Sequence, residues 1–296
     1  MRLSRDVKVV SVFATEAGGG NPAPIVIDAA GMSDAEMQQV ARTHGHESGF
    51  AFPPPPSSKC DFEFRFWVPN HEMSMCGHAT VGTVWLLDQA GQLQRDHLSI
   101  LTKSGRVDAR ILGRTDHGAT VEISQPLGTV EPLPEPELNK AEILDVLGIG
   151  EGELAPHPIW NACTSRVKTL IPLVSTKILD ELQPDFGRME ELCEKIGSTG
   201  LYPYAAHDRE GQIFDARQFP KSSGYPEDAA TGIAAAALSF GLLANGEVES
   251  SERLITIRQG RAMGRPSQIS VRFRLENGRP AGCWLGGSVR MEETPP

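Results

Sequence analysis

Apolar and polar residues alternate along much of this chain, and a period of two residues predicts β-strands that bury one face. The segment Cys60–Val68 shows this most clearly, because Phe62, Phe64 and Phe66 alternate with charged residues and with Trp67. We therefore predict a half-buried strand with Trp67 on its polar face. Shorter runs bounded by Gly, Pro or polar clusters predict further strands, at Val7–Phe13, Pro24–Ile27, Gly49–Phe52, Leu98–Thr102, Arg106–Ile111, Thr120–Ser124, Val167–Leu173, Gly211–Phe219, Arg253–Gln259, Gln268–Leu275 and Cys283–Met291.

Two segments are apolar on every side, which is typical of helices that lie inside a core. Glu227–Gly246 is almost wholly small or apolar from Ala234 to Leu243, and Asn245-Gly246 suits a left-handed stop. Met73–Gly91 has the same build, with a small polar cluster followed by an apolar run. Each opening would present free backbone N–H groups and the positive end of the helix dipole.

Three further helices follow from caps and periodicity. Ser33 and Glu36 have the spacing of a capping box, so a helix should begin there and end near Gly45. The other two are predicted at Leu138–Leu147 and Asp185–Ile196. Because strands far outnumber helices and few connections resemble β-α-β units, the fold class is α+β.

The length and a weak internal similarity suggest two lobes. A chain of 296 residues can hold two domains, each with its own core. The string Ala-Thr followed closely by Gly occurs at Ala79–Gly82 and again at Ala230–Gly232. We predict two similar halves, each wrapped around a central helix, with the two helix openings facing each other. The proline-rich segment Gln125–Glu137 marks the boundary, which gives lobes of residues 1–127 and 128–296, and the last strand can return to the first lobe.

Composition narrows the class of protein. The net charge of −10 argues against nucleic acid or an anionic membrane as the main partner. The N-terminal stretch lacks the apolar core of a signal peptide, and no segment is long enough to span a membrane. Five cysteines without a C-x-x-C pair fit reduced thiols in the cytoplasm.

Glu47 and Asp228 are the candidate acid/base pair. Glu47 lies in a short turn beside glycine and ahead of an apolar run, and Asp228 lies at the opening of the second central helix. Two carboxylates in different environments can divide the work, one as base and one as acid. The plainer alternatives are that Glu47 is a solvated surface residue and that Asp228 and Thr231 only cap the helix.

His78 and Cys76, at the first helix opening, are the other candidates. His78 could donate to a substrate carboxylate or shuttle a proton, and it could equally bond to backbone. Cys76 could be a nucleophile or base if the helix dipole stabilises its thiolate, although a lone buried cysteine more often only packs. A metal site built from His44, His46, His71 and His78 is disfavoured, because no acidic or cysteine ligand follows at standard spacing.

Five strings occur in one order and together resemble the phenazine-biosynthesis PhzF-like family. They are Gly20–Ala23, His46–Ser48, Cys76–Gly82, Pro226–Gly232 and Gln259–Ser267. The resemblance extends to Gly286-Gly287 and implies the diaminopimelate epimerase-like fold: two pseudo-symmetric lobes, each a curved, mostly antiparallel sheet around a central helix, with the active site in the cleft between them.

The resemblance also implies roles for particular residues. Glu47 would be the catalytic acid/base that removes and returns a substrate proton, assisted by His78 and Asp228. Gly77 and Gly232 would offer N–H groups to a substrate carboxylate. The remaining substrate-binding positions would be Ser48, Cys76, Thr231 and Ile233. No metal, nucleotide or pyridoxal phosphate is expected, the substrate is a small carboxylate, and a homodimer is expected.

The chain departs from the family pattern at two places. Ile233 stands where the family has a serine, and His46 precedes Glu47 in a changed local sequence. An apolar wall at Ile233 would suit a different cyclic or amino-acid-like substrate. Related racemases use two thiols, but here the second helix opening has Ala229-Ala230. The leading hypothesis is a cofactor-independent isomerase, and the alternatives are a one-thiol epimerase or dehydratase that uses Cys76, or a binding protein that has lost its activity.

Overall fold

A computed structural model describes residues 6–116 and 118–292 of the chain. The strands are β1 (Lys8–Val12), β2 (Asn21–Val26), β3 (Ser48–Phe52), β4 (Phe62–Trp67), β5 (Glu72–Met73), β6 (His97–Thr102), β7 (Gly105–Thr115), β8 (Gly118–Gln125), β9 (Thr129–Pro132), β10 (Trp160–Cys163), β11 (Val167–Leu173), β12 (Gly200–Asp208), β13 (Ile213–Ala216), β14 (Phe219–Pro220), β15 (Ile255–Gln259), β16 (Ser267–Glu276), β17 (Arg279–Gly287) and β18 (Val289–Met291). The α-helices are α1 (Asp34–His44), α2 (Gly77–Gln89), α3 (Pro136–Leu147), α4 (Thr176–Glu181), α5 (Met189–Lys195) and α6 (Gly232–Ala244).

These elements form two compact units. The described residues of Met1–Ser124 and Gly286–Pro296 make up the N-terminal unit, and Gln125–Leu285 makes up the C-terminal unit. Within the described residues, no helix is long and apolar enough to cross a membrane.

The N-terminal unit is a sheet wrapped around α2. Its strands run in the order β18-β1-β2-β3-β4-β6-β7-β8, with β5 beside the end of β4. Helix α2 packs on β1, β2, β3 and β18 and is buried from Gly77 to Leu87. The close approach of α2 to β1 requires a glycine at position 82, where a Cβ would lie 2.9 Å from Val10 Cγ2.

The C-terminal unit is a sheet with helices on both faces. Its strands run in the order β9-β10-β11-β12-β13-β15-β16. The short strand β14 pairs with the start of β12. Helix α6 packs on β9, β10, β11 and β16. A separate apolar cluster joins α3, α4 and α5 to β11 and β12, through residues such as Ile143, Leu179, Leu192, Ile171 and Leu201.

Both central helices were identified from their composition, and their ends are close to the predicted ones. Helix α2 begins at Gly77, after the separate strand β5, and α6 begins at Gly232 and stops before Gly246, whose φ is 69°. The capping box at Ser33 and Glu36 is confirmed, with the left-handed stop at Gly45.

Four helical connections correct the prediction that β-α-β units are few. The parallel pairs β2–β3, β4–β6, β11–β12 and β13–β15 are each joined through a helix or helices. The remaining pairs given above are antiparallel, so the α+β class holds. Helices α2 and α6 are themselves crossover helices, which explains why both are covered by sheet.

Several local predictions were wrong for physical reasons. The proline-rich boundary contains β9, and the predicted helix Asp185–Ile196 is confined to Met189–Lys195. Strand β12 was missed because it is buried on both faces for its first six residues and shows no alternation. Trp67 is 8% exposed rather than on a solvated face, because it packs against Met37 of α1 and Phe50.

Candidate active site

Glu47 is the last residue of the three-residue connection between α1 and β3. Helix α1 ends at Gly45, whose φ of 70° is in the left-handed region that favours glycine. The chain therefore turns sharply, and β3 begins at Ser48. The Glu47 side chain keeps 32% of its surface exposed, so it can reach both solvent and the interior.

Glu47, Cys76 and His78 form a compact cluster in the N-terminal unit. The Cys76 thiol donates to Glu47 Oε2 at 3.8 Å, and Cys76 Sγ lies 3.5 Å from His78 Nδ1. His78 Nε2 lies 3.5 Å from the same Glu47 oxygen. A carboxylate, a thiol and an imidazole are thus within reach of one another, although 29 residues separate Glu47 from Cys76.

Two residues of this cluster, Cys76 and His78, lie at the start of α2. Cys76 is the residue before the first helical turn, and its carbonyl accepts from the N–H and the hydroxyl of Thr80. Its thiol is directed to Glu47 and His78 instead of capping the helix. Gly77 is the first residue of the helix, so its N–H belongs to the positive end of the dipole.

His78 is buried, and its Nε2 atom makes no hydrogen bond within the described part of the chain. A buried ring nitrogen without a partner costs free energy, because it has lost its bonds to water. Glu47 Oε2 lies 3.5 Å from this nitrogen, beyond good hydrogen-bond distance. A ligand or proton that arrives between the two side chains would satisfy both.

The same three side chains are also the donor types that bind zinc. Across residues 6–116 and 118–292, the group in which three such ligand atoms lie within 4.8 Å of one another is Glu47, Cys76 and His78. His44, His46 and His71 do not join it. If a metal bound to this chain, it would be here rather than at the histidine cluster considered from the sequence.

Asp228 lies at the opening of α6 in the C-terminal unit. Its Oδ2 accepts from the Thr231 hydroxyl at 2.5 Å. The Gln259 amide nitrogen donates to the Asp228 carbonyl at 2.7 Å and to Thr231 Oγ1 at 3.2 Å. Gln259 Oε1 in turn accepts from the hydroxyl of buried Tyr202 at 2.9 Å. Thr231 and Gln259 thus bond directly to Asp228, and Tyr202 bonds to Gln259.

The plainer reading of Asp228 and Thr231 as helix caps is wrong for Thr231. Its hydroxyl bonds to Asp228 instead of to the N–H groups of the first turn of α6. The Thr231 side chain therefore leaves the N–H groups of the first turn of α6 uncapped. Gly232 is buried against Leu285, and Ile233 is half-buried.

Other predicted residues have local partners. Ser48 is buried and donates to the His46 carbonyl at 3.1 Å. Glu227, next to Asp228, receives two bonds from Arg217, at 2.9 and 2.7 Å. Sequence reasoning did not assign Arg217, Gln259 or Tyr202 to this region. Gln259 could have been found, since it opens one of the five family strings.

The sequence of this chain matches a known protein family and several of its members. A family model described as phenazine biosynthesis-like protein matches residues 10–291. The chain belongs to that family. An uncharacterized isomerase of Deinococcus radiodurans is 30% identical over 96% of this chain and 91% of its own length. A trans-2,3-dihydro-3-hydroxyanthranilate isomerase of Pseudomonas aeruginosa is 29% identical over 95% of this chain and 94% of its own. The family and its relatives identify an isomerase, and argue against a protein that only binds.

Solved structures establish the fold. A phenazine biosynthesis protein of the PhzF family from Bacillus anthracis superposes with a TM-score of 0.84 over 98% of this chain and 97% of its own, at 23% identity. A hydroxyproline epimerase from Agrobacterium vitis gives a TM-score of 0.62 over 98% and 92%, at 14% identity. The diaminopimelate epimerase-like fold expected from the sequence is confirmed.

Proposed function

We propose that this isomerase moves a proton on a small carboxylate substrate and that Glu47 is the acid/base. The observation that carries the proposal is the cluster of Glu47, Cys76 and His78 at the start of α2. It combines a partly exposed carboxylate with a buried imidazole whose Nε2 makes no hydrogen bond in the described residues. Proton transfer needs a group within hydrogen-bond reach of the reacting atom.

The proposed reaction has two proton transfers. Glu47 takes a proton from a carbon α or γ to the substrate carboxylate, and the electron pair of the broken C–H bond delocalises towards that carboxylate. Protonated Glu47 then delivers the proton to another carbon of the same substrate. The N–H groups of Gly77 and Gly232 would stabilise the negative charge on the carboxylate, and His78 and Asp228 would assist.

The substrate is proposed from chemistry and from the relatives. A dihydrohydroxyanthranilate is one candidate, because the name of the Pseudomonas aeruginosa relative contains it. Ile233 replaces a serine of the family pattern and favours a less polar ring or an amino-acid-like chain. We further propose that the protein acts in the cytoplasm, as a homodimer and without metal, nucleotide or pyridoxal phosphate.

A thiol mechanism is the second candidate. The contacts of Cys76 Sγ with Glu47 and His78, at 3.8 and 3.5 Å, would allow either partner to remove the thiol proton. Cys76 would then act as the base in a one-thiol epimerase or dehydratase. The two candidates differ in which side chain is essential.

The test is conversion of a panel of small carboxylates, followed by proton NMR. Wild type is compared with Glu47→Gln, Asp228→Asn and the control Glu63→Gln, which changes a half-buried glutamate of β4. We expect Glu47→Gln to lose at least about 10³-fold in rate, an effect of the size found when an essential group is removed. Wild-type conversion by folded Glu47→Gln would overturn the proposal.

A further inference from the structure

Lys168 is a buried cation that the proposed reaction does not use. Four side chains of Asp, Glu, Lys and Arg are buried among the described residues: Glu122, Lys168, Asp215 and Arg217. Three of them have ion-pair partners, which are Arg110, Arg258 and Glu227. Lys168 is 5% exposed, and within residues 6–116 and 118–292 its ammonium makes neither a hydrogen bond nor an ion pair.

Strand alternation places Lys168 on the face of the sheet that α6 covers. Leu170, two residues along β11, approaches α6 so closely that a Cβ at Gly241 would lie 2.3 Å from Leu170 Cδ1. Residues i and i+2 of a strand share a face. The register pairs Thr169 with Leu201, so Lys168 lies beside Gly200 on β12.

The side chain of Gln218 also lies next to Gly200. Its amide nitrogen would be only 2.4 Å from a Cβ at Gly200, so the missing side chain of Gly200 leaves the space that Gln218 enters. Gln218 is 1% exposed, and neither polar atom of its amide has a hydrogen bond within the described part of the chain. The strand position of Lys168 and the unsatisfied amide of Gln218 therefore meet at one glycine, Gly200.

This place adjoins Asp228. Gln218 and Asp228 form an isolated antiparallel bridge, in which the Asp228 N–H donates to the Gln218 carbonyl at 3.0 Å. The Asp228 carboxylate is near enough to Lys168 to raise the pKa of the ammonium, which opposes the larger lowering caused by burial. Both groups belong to the C-terminal unit.

We propose that Lys168 and Gln218 bind a second carboxylate of the substrate beside Asp228, so that the substrate is a dicarboxylate. This inference rests on the proposed function, in which the first carboxylate is held by helix N–H groups. Lys168 supplies charge and the Gln218 amide supplies N–H donors, and a carboxylate accepts both kinds of bond. Burial disfavours the charged form of Lys168 and leaves the Gln218 amide unsatisfied, and an anion that binds to both side chains offsets these two costs.

The test measures binding of malonate, glutarate and pimelate, each beside its monoamide, by NMR of lysine residues labelled with carbon-13. The Lys168 resonance is assigned from Lys168→Met. We expect at least one dicarboxylate to shift that resonance and to bind about tenfold or more tightly than its monoamide. This preference should disappear in Lys168→Met and weaken in Gln218→Leu. The control Lys177→Met removes an exposed lysine of α4 and should keep it.

Equal affinity for every diacid and its monoamide in wild type, or an unchanged preference in folded Lys168→Met, would overturn the inference. If Lys168→Met does not fold, the pH dependence in wild type replaces it. Burial lowers the pKa of Lys168 to about 8, with Arg166 also lowering it and Asp228 and Cys193 raising it. Binding of the diacid should therefore weaken as the pH rises through that range, and constant affinity would count against the site.

Glu47→Gln separates this inference from the proposed function. If Glu47→Gln loses conversion but keeps the diacid preference, both stand. If wild type shows the preference and Glu47→Gln converts substrate normally, the dicarboxylate site stands and the Glu47 assignment fails. If conversion depends on Glu47 but wild type shows no diacid preference, the Glu47 assignment stands and the dicarboxylate site fails.

Discussion

At the scale of residues, the arrangement depends on a turn and a helix start that lie side by side. Gly45 ends α1, Glu47 directly precedes β3, and Cys76 precedes the first turn of α2, which packs on β3. Sequence reasoning named Glu47, Cys76 and His78 separately. Their mutual distances depend on the packing of α2 against the sheet, which no local pattern contains.

Replacement of Cys76 distinguishes the carboxylate from the thiol mechanism. If Glu47 is the acid/base, Cys76→Ala loses less than about tenfold in rate, because only a neighbouring contact is removed. If the thiol is the base, the loss should exceed about 10³-fold. Steady-state kinetics of Cys76→Ala and Cys76→Ser measure this, and the buried Cys283→Ala serves as the matched control. A loss above about 10³-fold in the Cys76 variants, with Cys283→Ala at the wild-type rate, would contradict the carboxylate mechanism.

Added zinc should inhibit the enzyme at the same cluster. Glu47, Cys76 and His78 offer three ligands of suitable type, and bound zinc would occupy the carboxylate that the reaction needs. We expect inhibition by micromolar zinc, full recovery with EDTA, and weaker inhibition of Cys76→Ala. EDTA alone should leave the rate of the purified enzyme unchanged. A lasting loss of activity after EDTA, restored by zinc, would contradict a metal-free mechanism.

At the scale of elements, composition identified the two central helices but not their crossover role. Both connect parallel strands, and each is apolar all round because sheet covers it. Strand β12 was missed because a strand covered by helices on both faces has no polar positions to alternate. Strand β9 was missed because it has only four residues, the last of which is Pro132, and lies in a proline-rich segment.

Close packing of α2 makes Gly82 sensitive to a single methyl group. A Cβ at this position would lie 2.9 Å from Val10 Cγ2 and 3.1 Å from Val12 Cγ2. We expect Gly82→Ala to lower the free energy of unfolding by about 1–3 kcal/mol, the usual cost of overpacking. Urea unfolding measures it. Gly113→Ala is the control, since nothing lies within 4 Å of its Cβ. Equal stability of the two variants would contradict the packing of α2 on β1.

At the scale of the whole molecule, the buried Asp, Glu, Lys and Arg side chains of residues 6–116 and 118–292 have ion-pair partners, with the exception of Lys168. Glu122, Asp215 and Arg217 each have a close partner of opposite charge. The sequence already carries a signal for the exception, since Lys168 stands alone in the apolar run Val167–Leu173. This signal did not suffice to predict a buried lysine, because burial of a strand on both faces is a property of the assembled sheet.

The stability of the protein should report the cost of this buried lysine. Burial lowers the pKa of Lys168 from 10.5 to about 8. Between these pH values the unfolded chain holds a proton that the folded chain does not, so stability rises with pH across this window. Below pH 8 the full cost is present, about 3 kcal/mol.

Lys168→Met should therefore unfold at higher urea than wild type at pH 7, and the gap should narrow as the pH rises from 8 to 10. The exposed-lysine control, Lys177→Met, should show no such pH-dependent gap. A wild type more stable than Lys168→Met at pH 7 would mean that Lys168 has a stabilising partner.

Deuterium incorporation tests the central claim most directly. Small carboxylates, including dicarboxylates and a dihydrohydroxyanthranilate, are incubated in heavy water with wild type or Glu47→Gln and analysed by mass spectrometry. If Glu47 is the acid/base, at least one compound gains deuterium with wild type and none does with Glu47→Gln. Incorporation at the wild-type rate by folded Glu47→Gln would contradict this assignment.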